Sequence, residues 1–476
     1  MLVSFVALYL LISIAIGVYG ATKVHNAKDY VTAGRSLPMV VVIAMVFATW
    51  FGAETVLGIP GTFVEENLGG LISDPFGASF CLIFFALIFA RPLYRKNLLT
   101  LGDFYREKYG KPVEITVSIA IALSYLGWVS AQITALGLVF NVLSDGSVTM
   151  GQGILIGSGV VLVYTLFGGM WSVALTTVVQ MAVIVLGLLW ISFLVSDQTG
   201  GVAPVVKHAY EAGKFEFWPT MEWTAVITFI AGFLTMGFGS IPQQDVFQRV
   251  NSSKNETVAV WGTLLGGVAY FLFAAVPLYL AYSAFMIAPE LATKVSAEDP
   301  QLVLPTFVLE HLPMYAQIIF FGALLSVIMS TASGTLLAPS VTLSENVIKE
   351  LLPNGKNLTD KQFLNLMRIV VGTFSVMVTL YAFYSLEQET PIHAMVENAY
   401  KVTLVVALVP LFAGLYWKKA SNFGAICSII SGLVVWVPLE FTMPEAALPP
   451  HFAGFIVATI VMVIASLLKP AQVGAR

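Results

Sequence analysis

Charge is what this sequence has least of. Only 11% of its 476 residues are Asp, Glu, Lys or Arg, against 58% hydrophobic, and the mean hydropathy is +0.87. A water-soluble globular chain carries roughly 25% charged residues, so this one cannot cover a surface that faces water. Cysteine is nearly absent: Cys81 and Cys427 both sit inside apolar runs, which argues for packing and against a disulfide framework or a metal pair. The sequence has no cluster of metal-ligating residues, no Gly-rich phosphate loop and no nucleophile placed beside a base, so no covalent chemistry is implied. The ~10-residue alternating strands of a membrane barrel are missing as well. These absences leave an all-α integral membrane protein.

Apolar runs bounded by polar or Pro/Gly breaks give thirteen expected spans, near 2–21, 38–60, 69–91, 114–144, 150–168, 173–197, 224–248, 258–288, 314–347, 364–386, 394–417, 422–441 and 452–468. The first lacks the basic n-region of a signal peptide, and its basic residues (Lys23, Lys28, Arg35) follow it, which predicts a retained helix. Alternating the loops places 19 of the 23 Lys and Arg residues, Arg476 among them, on one side. Lys207, Lys214 and Lys294 fall on the other, and Lys401 lies within a span. The positive-inside rule then predicts an outer N-terminus and a cytoplasmic C-terminus. The Asn-x-Ser/Thr triplets at Asn251, Asn255 and Asn357 all fall on the inner side and read as chance matches. The outer loops 198–223 and 288–312 are each long enough for one short helix, and no signalling domain is expected after the last span.

Two spans are interrupted. "MVFATWFGAETVLGIPG" (45–61) and "FLTMGFGSIPQQDVFQR" (233–249) each cluster glycine at mid-helix, then carry Ile-Pro and polar residues. Glycine in a span also serves close helix packing. Two such stretches five spans apart fit a transporter built from inverted repeats, whose site lies at the unwound centres. The freed carbonyls are hard oxygen ligands for a small cation. The ninth span, "FGALLSVIMSTASGTLLAPS" (321–340), adds hydroxyls: Ser326, Ser330, Ser333 and Ser340 recur at helical spacing, with Thr331 beside Ser330. Such a row also satisfies itself by bonding back along its own helix.

In this order the segments resemble the sodium:solute symporter family over roughly residues 1–440, through "ATWFGAETVLGIPG", "VYTLFGGMWSVALTTVVQ" (163–180), "GFGSIPQQDVFQRVNSS" (237–253) and "SVIMSTASGTLL" (326–337). The resemblance implies the fold of the amino-acid/sodium symporters. An extra first helix and loop (1–37) would precede repeat one (38–197) and repeat two (224–417), with two C-terminal helices in 418–476. It also implies a sodium site made by the carbonyls of Ala48, Phe51 and Val327 and the hydroxyls of Ser330 and Thr331. A second sodium site of some members uses an aspartate where this chain has Thr177, so one sodium per cycle is expected.

Among the branches, the chain looks most like the high-affinity choline transporters, in which aromatic side chains box a quaternary ammonium. Trp50 and Trp128 match two walls of that box. Ala78 and Gln243 stand where that branch has Tyr and Trp. Buried-span carboxylates are rare and functional by default, which adds Glu54 and Asp74 to the candidate solute site of Trp50, Trp128 and Gln243. Glu54 has the alternative of capping freed amides. Asp245 is left out, as an i,i+4 partner for Arg249, and Lys401 is read as pairing with Glu397 in the same way.

The sequence thus predicts a sodium-coupled symporter of a bacterial-type inner membrane. Its cargo is a small polar, cationic or zwitterionic nitrogen compound (choline-, betaine- or amino-acid-like), with a small organic acid or sugar as the alternative. The lipid bilayer is its other expected partner, no nucleic acid is implied, and the oligomeric state is not readable from the sequence. A channel would need a pore lined by carbonyl or charge rings, and a sensor would need an output domain; the sequence offers broken helices from one chain instead.

Overall fold

Every backbone polar group in a bilayer must find a partner inside the protein, and helices answer that demand locally. The computed structural model describes residues 2–471 and is helical from end to end, with one isolated β-bridge between Leu37 and Ser253 among the described residues. Arg476, counted above with the inner basic residues, lies outside the described residues. The apolar helices are α1 (Leu2–Ala21), α2 (Met39–Trp50 and Glu54–Glu66), α3 (Gly69–Lys96), α4 (Lys111–Leu143), α5 (Met150–Thr199) and α6 (Trp223–Gly239 and Gln244–Asn251). They continue with α7 (Glu256–Ile287), α8 (Met314–Leu351), α9 (Asp360–Glu387), α10 (Ile392–Tyr416), α11 (Asn422–Thr442) and α12 (Pro450–Leu468).

Helix α5 accounts for two of the thirteen expected spans. Its 50 residues would stretch about 75 Å if straight, more than twice the roughly 30 Å hydrocarbon core. The helix turns at Gly169, where φ is 51° and ψ is −135°. A Cβ there would sit 2.4 Å from the Tyr30 carbonyl oxygen, so only glycine serves. The Tyr30 hydroxyl reaches the Thr165 and Leu166 carbonyls just before the turn, at 3.3 and 3.2 Å.

The two long loops differ in one respect from the expectation. Residues 198–223 hold one short helix, Val202–Glu211, but 288–312 hold two, Pro289–Glu298 and Val303–His311. Pro289 and Pro300 divide that loop, each pre-set for a first turn.

Close backbone approach organises the bundle. Added Cβ atoms at Gly262 and Gly266 of α7 would meet Val42 and Val46 of α2 at 2.7 and 2.8 Å, and one at Gly267 would meet Leu82 of α3 at 2.8 Å. Small residues thus let α7 lie against α2 and α3. The start of α2 is tied to the end of α6: Leu37 N donates to the Ser252 carbonyl and Lys254 N to the Leu37 carbonyl, both at 3.0 Å. A second group is stitched by polar contacts between α4, α5, α8 and α9: Ser130 to the Val378 carbonyl (2.8 Å), Ser158 with Thr379 (2.6 Å) and Tyr164 to the Met329 carbonyl (2.7 Å). Helix α8, on the face of the second group that meets the first, is buried along nearly its whole length.

At the end where α4 begins, Arg106 and Lys111 meet Glu350 at 2.5 and 3.3 Å, and Asn346 donates to Asp103 (2.8 Å) and Glu114 (2.9 Å). At the opposite end a cavity of about 550 Å³ descends to Gly58, Ile392 and His393. Glu65, Glu298, Asp299 and Glu389 line it, and His393 is the only basic residue type on its walls.

Candidate functional site at the two helix breaks

Helix α2 bends by 55° and α6 by 42° at their breaks. In α2 the helix ends at Trp50, and Phe51 leaves helical geometry at φ −72°, ψ 73°. Gly52 N bonds the Trp50 carbonyl at 2.7 Å and Ala53 N is taken by Gln132 Oε1 of α4 at 3.0 Å, so both freed donors are satisfied inside the protein. Gly52 leaves room for the Glu54 carboxylate, which a Cβ there would meet at 2.4 Å. In α6 the break spans Ser240 to Gln243, and its last helical carbonyl, Gly239, accepts from Thr403 of α10 at 2.6 Å.

Of the five residues expected to hold the coupling ion, Thr331 of α8 meets Ala48 and Phe51 of α2, while Ser330 and Val327 pair with each other along α8. Thr331 Oγ1 lies 3.1 Å from the Ala48 carbonyl oxygen and 3.4 Å from that of Phe51. Ser330 Oγ lies 2.8 Å from the Val327 carbonyl oxygen. All five residues are fully buried. Thr331 thus gathers two freed α2 carbonyls, and one turn of α8 adds the Ser330 hydroxyl and the Val327 carbonyl; these oxygen types suit a hard cation. Other hydroxyls of that row bond back along α8: Ser326 to Gly322 and Ser340 to Leu336 at 2.7 and 2.8 Å, and Ser333 to Ser330 at 3.1 Å. Thr177 is buried with its hydroxyl unpartnered.

The solute-site candidates are all buried too, at 0–1% exposure, but they divide into two groups. Trp50 and Trp128 stack on each other with centroids 4.6 Å apart, and Glu54 is held on the α4 side by Gln132 Nε2 (2.7 Å) and Trp128 Nε1 (3.3 Å). Its carboxylate therefore engages side chains of α4. Gln243 joins this group, with its amide donating to Ser124 (3.0 Å) and Thr403 (3.3 Å). Asp74 reaches the break by another route: Tyr270 of α7 donates to it and lies 3.3 Å from Thr55, which donates to the Trp50 carbonyl at 2.8 Å. Ala78, where the choline-transporter branch has an aromatic wall, is buried and leaves no ring on that side.

Two local pairings expected from spacing are replaced by tertiary ones. Lys401 pairs with Glu440 of α11 at 3.2 Å, and Glu397 instead faces His393 at 3.9 Å. Asp245 and Arg249 form no ion pair within 4.0 Å; Asp245 accepts from Tyr125 at 2.5 Å, and Arg249 donates to the Met45 carbonyl of α2. Asp245 thereby enters the site region from which the i,i+4 reading removed it.

Sequence reasoning also missed Tyr125, Gln132 and Tyr400. Tyr400 of α10 closes the tryptophan pair edge-on, 5.4 Å from Trp50 and 5.6 Å from Trp128, and Tyr125 stacks on Trp128 at 5.7 Å. A signal existed for two of them: residues 125, 128 and 132 lie three and four apart and share one face of α4.

The profile of the "Sodium:solute symporter family" matches residues 30–432. The chain is 28% identical to the human "High affinity choline transporter 1", over 95% of this chain and 79% of that protein. It is 23% identical to the "Osmoregulated proline transporter OpuE" of Bacillus subtilis (strain 168), over 98% and 95%. Among solved structures, a Na⁺-coupled sialic acid symporter in a substrate-bound outward-open state superposes with a TM-score of 0.82, at 17% identity, covering 99% of this chain and 98% of that one.

Proposed function

For this chain, which belongs to the sodium:solute symporter family, we propose sodium-driven uptake of a small cationic or zwitterionic nitrogen compound. The observation that carries the sodium part is the contact of Thr331 on the buried α8 with the Ala48 and Phe51 carbonyls of the broken α2, beside which Ser330 and Val327 complete the proposed ligand set. A cation there would bridge elements that must separate when the protein opens inward. The solute part rests on the Trp50–Trp128–Tyr400 ring cluster, whose faces attract a cation, and on the choline and proline named for two relatives.

Residues 38–197 and 224–417 are read as the two inverted repeats, each opening with a broken helix. The N-terminus faces outward and the C-terminus the cytoplasm of an inner membrane, so the acidic cavity is the outer mouth and the Arg106–Glu350 network closes the inner side. Sodium binds first and assembles the solute site; α2, α3, α6 and α7 then move against α4, α5, α8 and α9, releasing both inward. Because the two ligands share one conformational equilibrium, each raises the affinity for the other by the same factor. With Thr177 in place of a carboxylate, one sodium accompanies each solute.

The test is the melting temperature of the purified protein with candidate solutes, in sodium and in potassium, since a ligand of the folded state stabilises it by mass action. A nitrogen compound that stabilises only in sodium supports both halves of the reading. Sodium stabilisation with no nitrogen compound adding to it removes the solute half, and no response to sodium removes the coupling.

A further inference from the structure

Buried polar atoms without partners are rare in native proteins, and leaving one unmade costs roughly 1–3 kcal/mol. Three of them border one ring cluster here: the indole N–H of Trp50, the hydroxyl of Tyr400 and Oδ2 of Asp245. Their residues are 1%, 0% and 1% exposed. Tyr400 touches both tryptophans edge-on, and Asp245 is fixed beside the stack by Tyr125, whose hydroxyl donates to Oδ1 at 2.5 Å and accepts from the Asp245 backbone N at 2.9 Å. The three therefore offer a ligand one donor, one hydroxyl and one anionic acceptor around an aromatic wall.

Charge narrows the ligand further. Around the two breaks three carboxylates are buried (Glu54, Asp74, Asp245) against one guanidinium, Arg249, a formal charge of −2. Glu114, also buried, belongs to the inner-end network with Arg106 and Asn346. Burying charge without compensation is expensive. A bound monocation offsets one of these buried negative charges, which a zwitterion does not. A carboxylate oxygen with an open lone pair also asks for an N–H, which a quaternary ammonium cannot supply.

We propose that Asp245 is the counter-ion of the solute, and that the solute is a monocationic amine carrying at least one N–H and a nearby oxygen acceptor for the Trp50 indole. This rests on the symport reading above and names its substrate class. It departs from a choline-like cargo at a defined atom: the methyls of a quaternary nitrogen would face Asp245 Oδ2 and leave it unpaired.

The experiment is a methylation series at constant charge. Ethanolamine, N-methylethanolamine, N,N-dimethylethanolamine and choline are titrated against the wild-type protein in saturating sodium, with affinity read from thermal shift. Glycine, proline and glycine betaine are titrated beside them. The N–H members are expected to bind at least tenfold more tightly than choline and than any of the zwitterions. Asp245→Asn is expected to bring the four amines within about threefold of one another while sodium affinity stays near wild type. The wild-type series decides the matter even if that variant folds poorly. Choline binding as tightly as its N–H relatives, or a panel in which zwitterions bind best, overturns the inference and leaves sodium-coupled nitrogen-solute transport standing. If no member of either set binds in sodium, the nitrogen-solute reading and this inference fall together.

Discussion

A hydroxyl on an apolar helix can satisfy itself on its own backbone or reach across to another helix, and α8 does both within a few turns. Ser340 bonds back to Leu336 at 2.8 Å, while Thr331 crosses to Ala48 and Phe51 of α2 at 3.1 and 3.4 Å. Removing a hydroxyl that ligates an ion should matter far more than removing one that bonds back. Ser330 also bonds back, to Val327 at 2.8 Å, but it is a proposed ligand. Ser330→Ala and Thr331→Ala are each expected to weaken sodium affinity by tenfold or more, roughly the 1.4 kcal/mol that a factor of ten represents, whereas Ser340→Ala leaves it within twofold. Sodium titrations of melting temperature check all three, and equal effects at all three positions would remove the cation cluster. The interrupted helix and the hydroxyl row were visible in the sequence, but the row alone reads equally as back-bonding, and its assignment as a cation site came from the family resemblance. The partner of Lys401 was not visible: spacing offered Glu397 four residues away, but side-chain direction delivers Glu440 from another helix at 3.2 Å. Asp245 was misassigned for the same reason, since i,i+4 proximity is read from spacing but Tyr125 arrives from elsewhere in the chain.

At the scale of elements, the apolar runs and glycine breaks coincide with the twelve apolar helices of the described residues, including the two that bend. The single helix α5 covers two of the thirteen expected spans. What periodicity does not register is rotation: spacing puts Tyr125, Trp128 and Gln132 on one face of α4, but that this face meets α2 and α10 depends on packing. Helix α5 gives a direct test of how a glycine turn divides a long apolar run. At Gly169 the backbone is left-handed and an added Cβ meets the Tyr30 carbonyl oxygen at 2.4 Å, while at Gly159 nothing lies within 4 Å. Gly169→Ala is expected to destabilise by about 2 kcal/mol or more and to lower the melting temperature by several degrees. Gly159→Ala, in the same helix, should leave it unchanged or slightly raised. Matched melting curves of the two variants in one detergent settle the point; equal melting temperatures would mean the arms of α5 are not divided at Gly169.

Across the whole molecule, two helix groups meet along α2, α6 and α8, and the ring cluster and the oxygen cluster both sit on that boundary. The acidic mouth above it has a role that contacts alone do not reveal. Four carboxylates around a cavity of about 550 Å³ make it a small Donnan compartment, enriched in mobile cations and depleted of anions before anything binds. At about 0.15 M salt the Debye length is roughly 8 Å, comparable to such a mouth, so the enrichment persists under ordinary conditions and fades as salt rises. Neutralising Glu298 and Glu389 together to Gln is expected to raise the sodium concentration for half-maximal uptake several-fold at low ionic strength and to leave the maximal rate alone. The difference should vanish in about 0.5 M of an inert salt. An effect that survives high salt would mean these carboxylates ligate the ion. Otherwise, the concentration that the buried site responds to is the one inside its own antechamber, set by fixed charges that never touch the cargo.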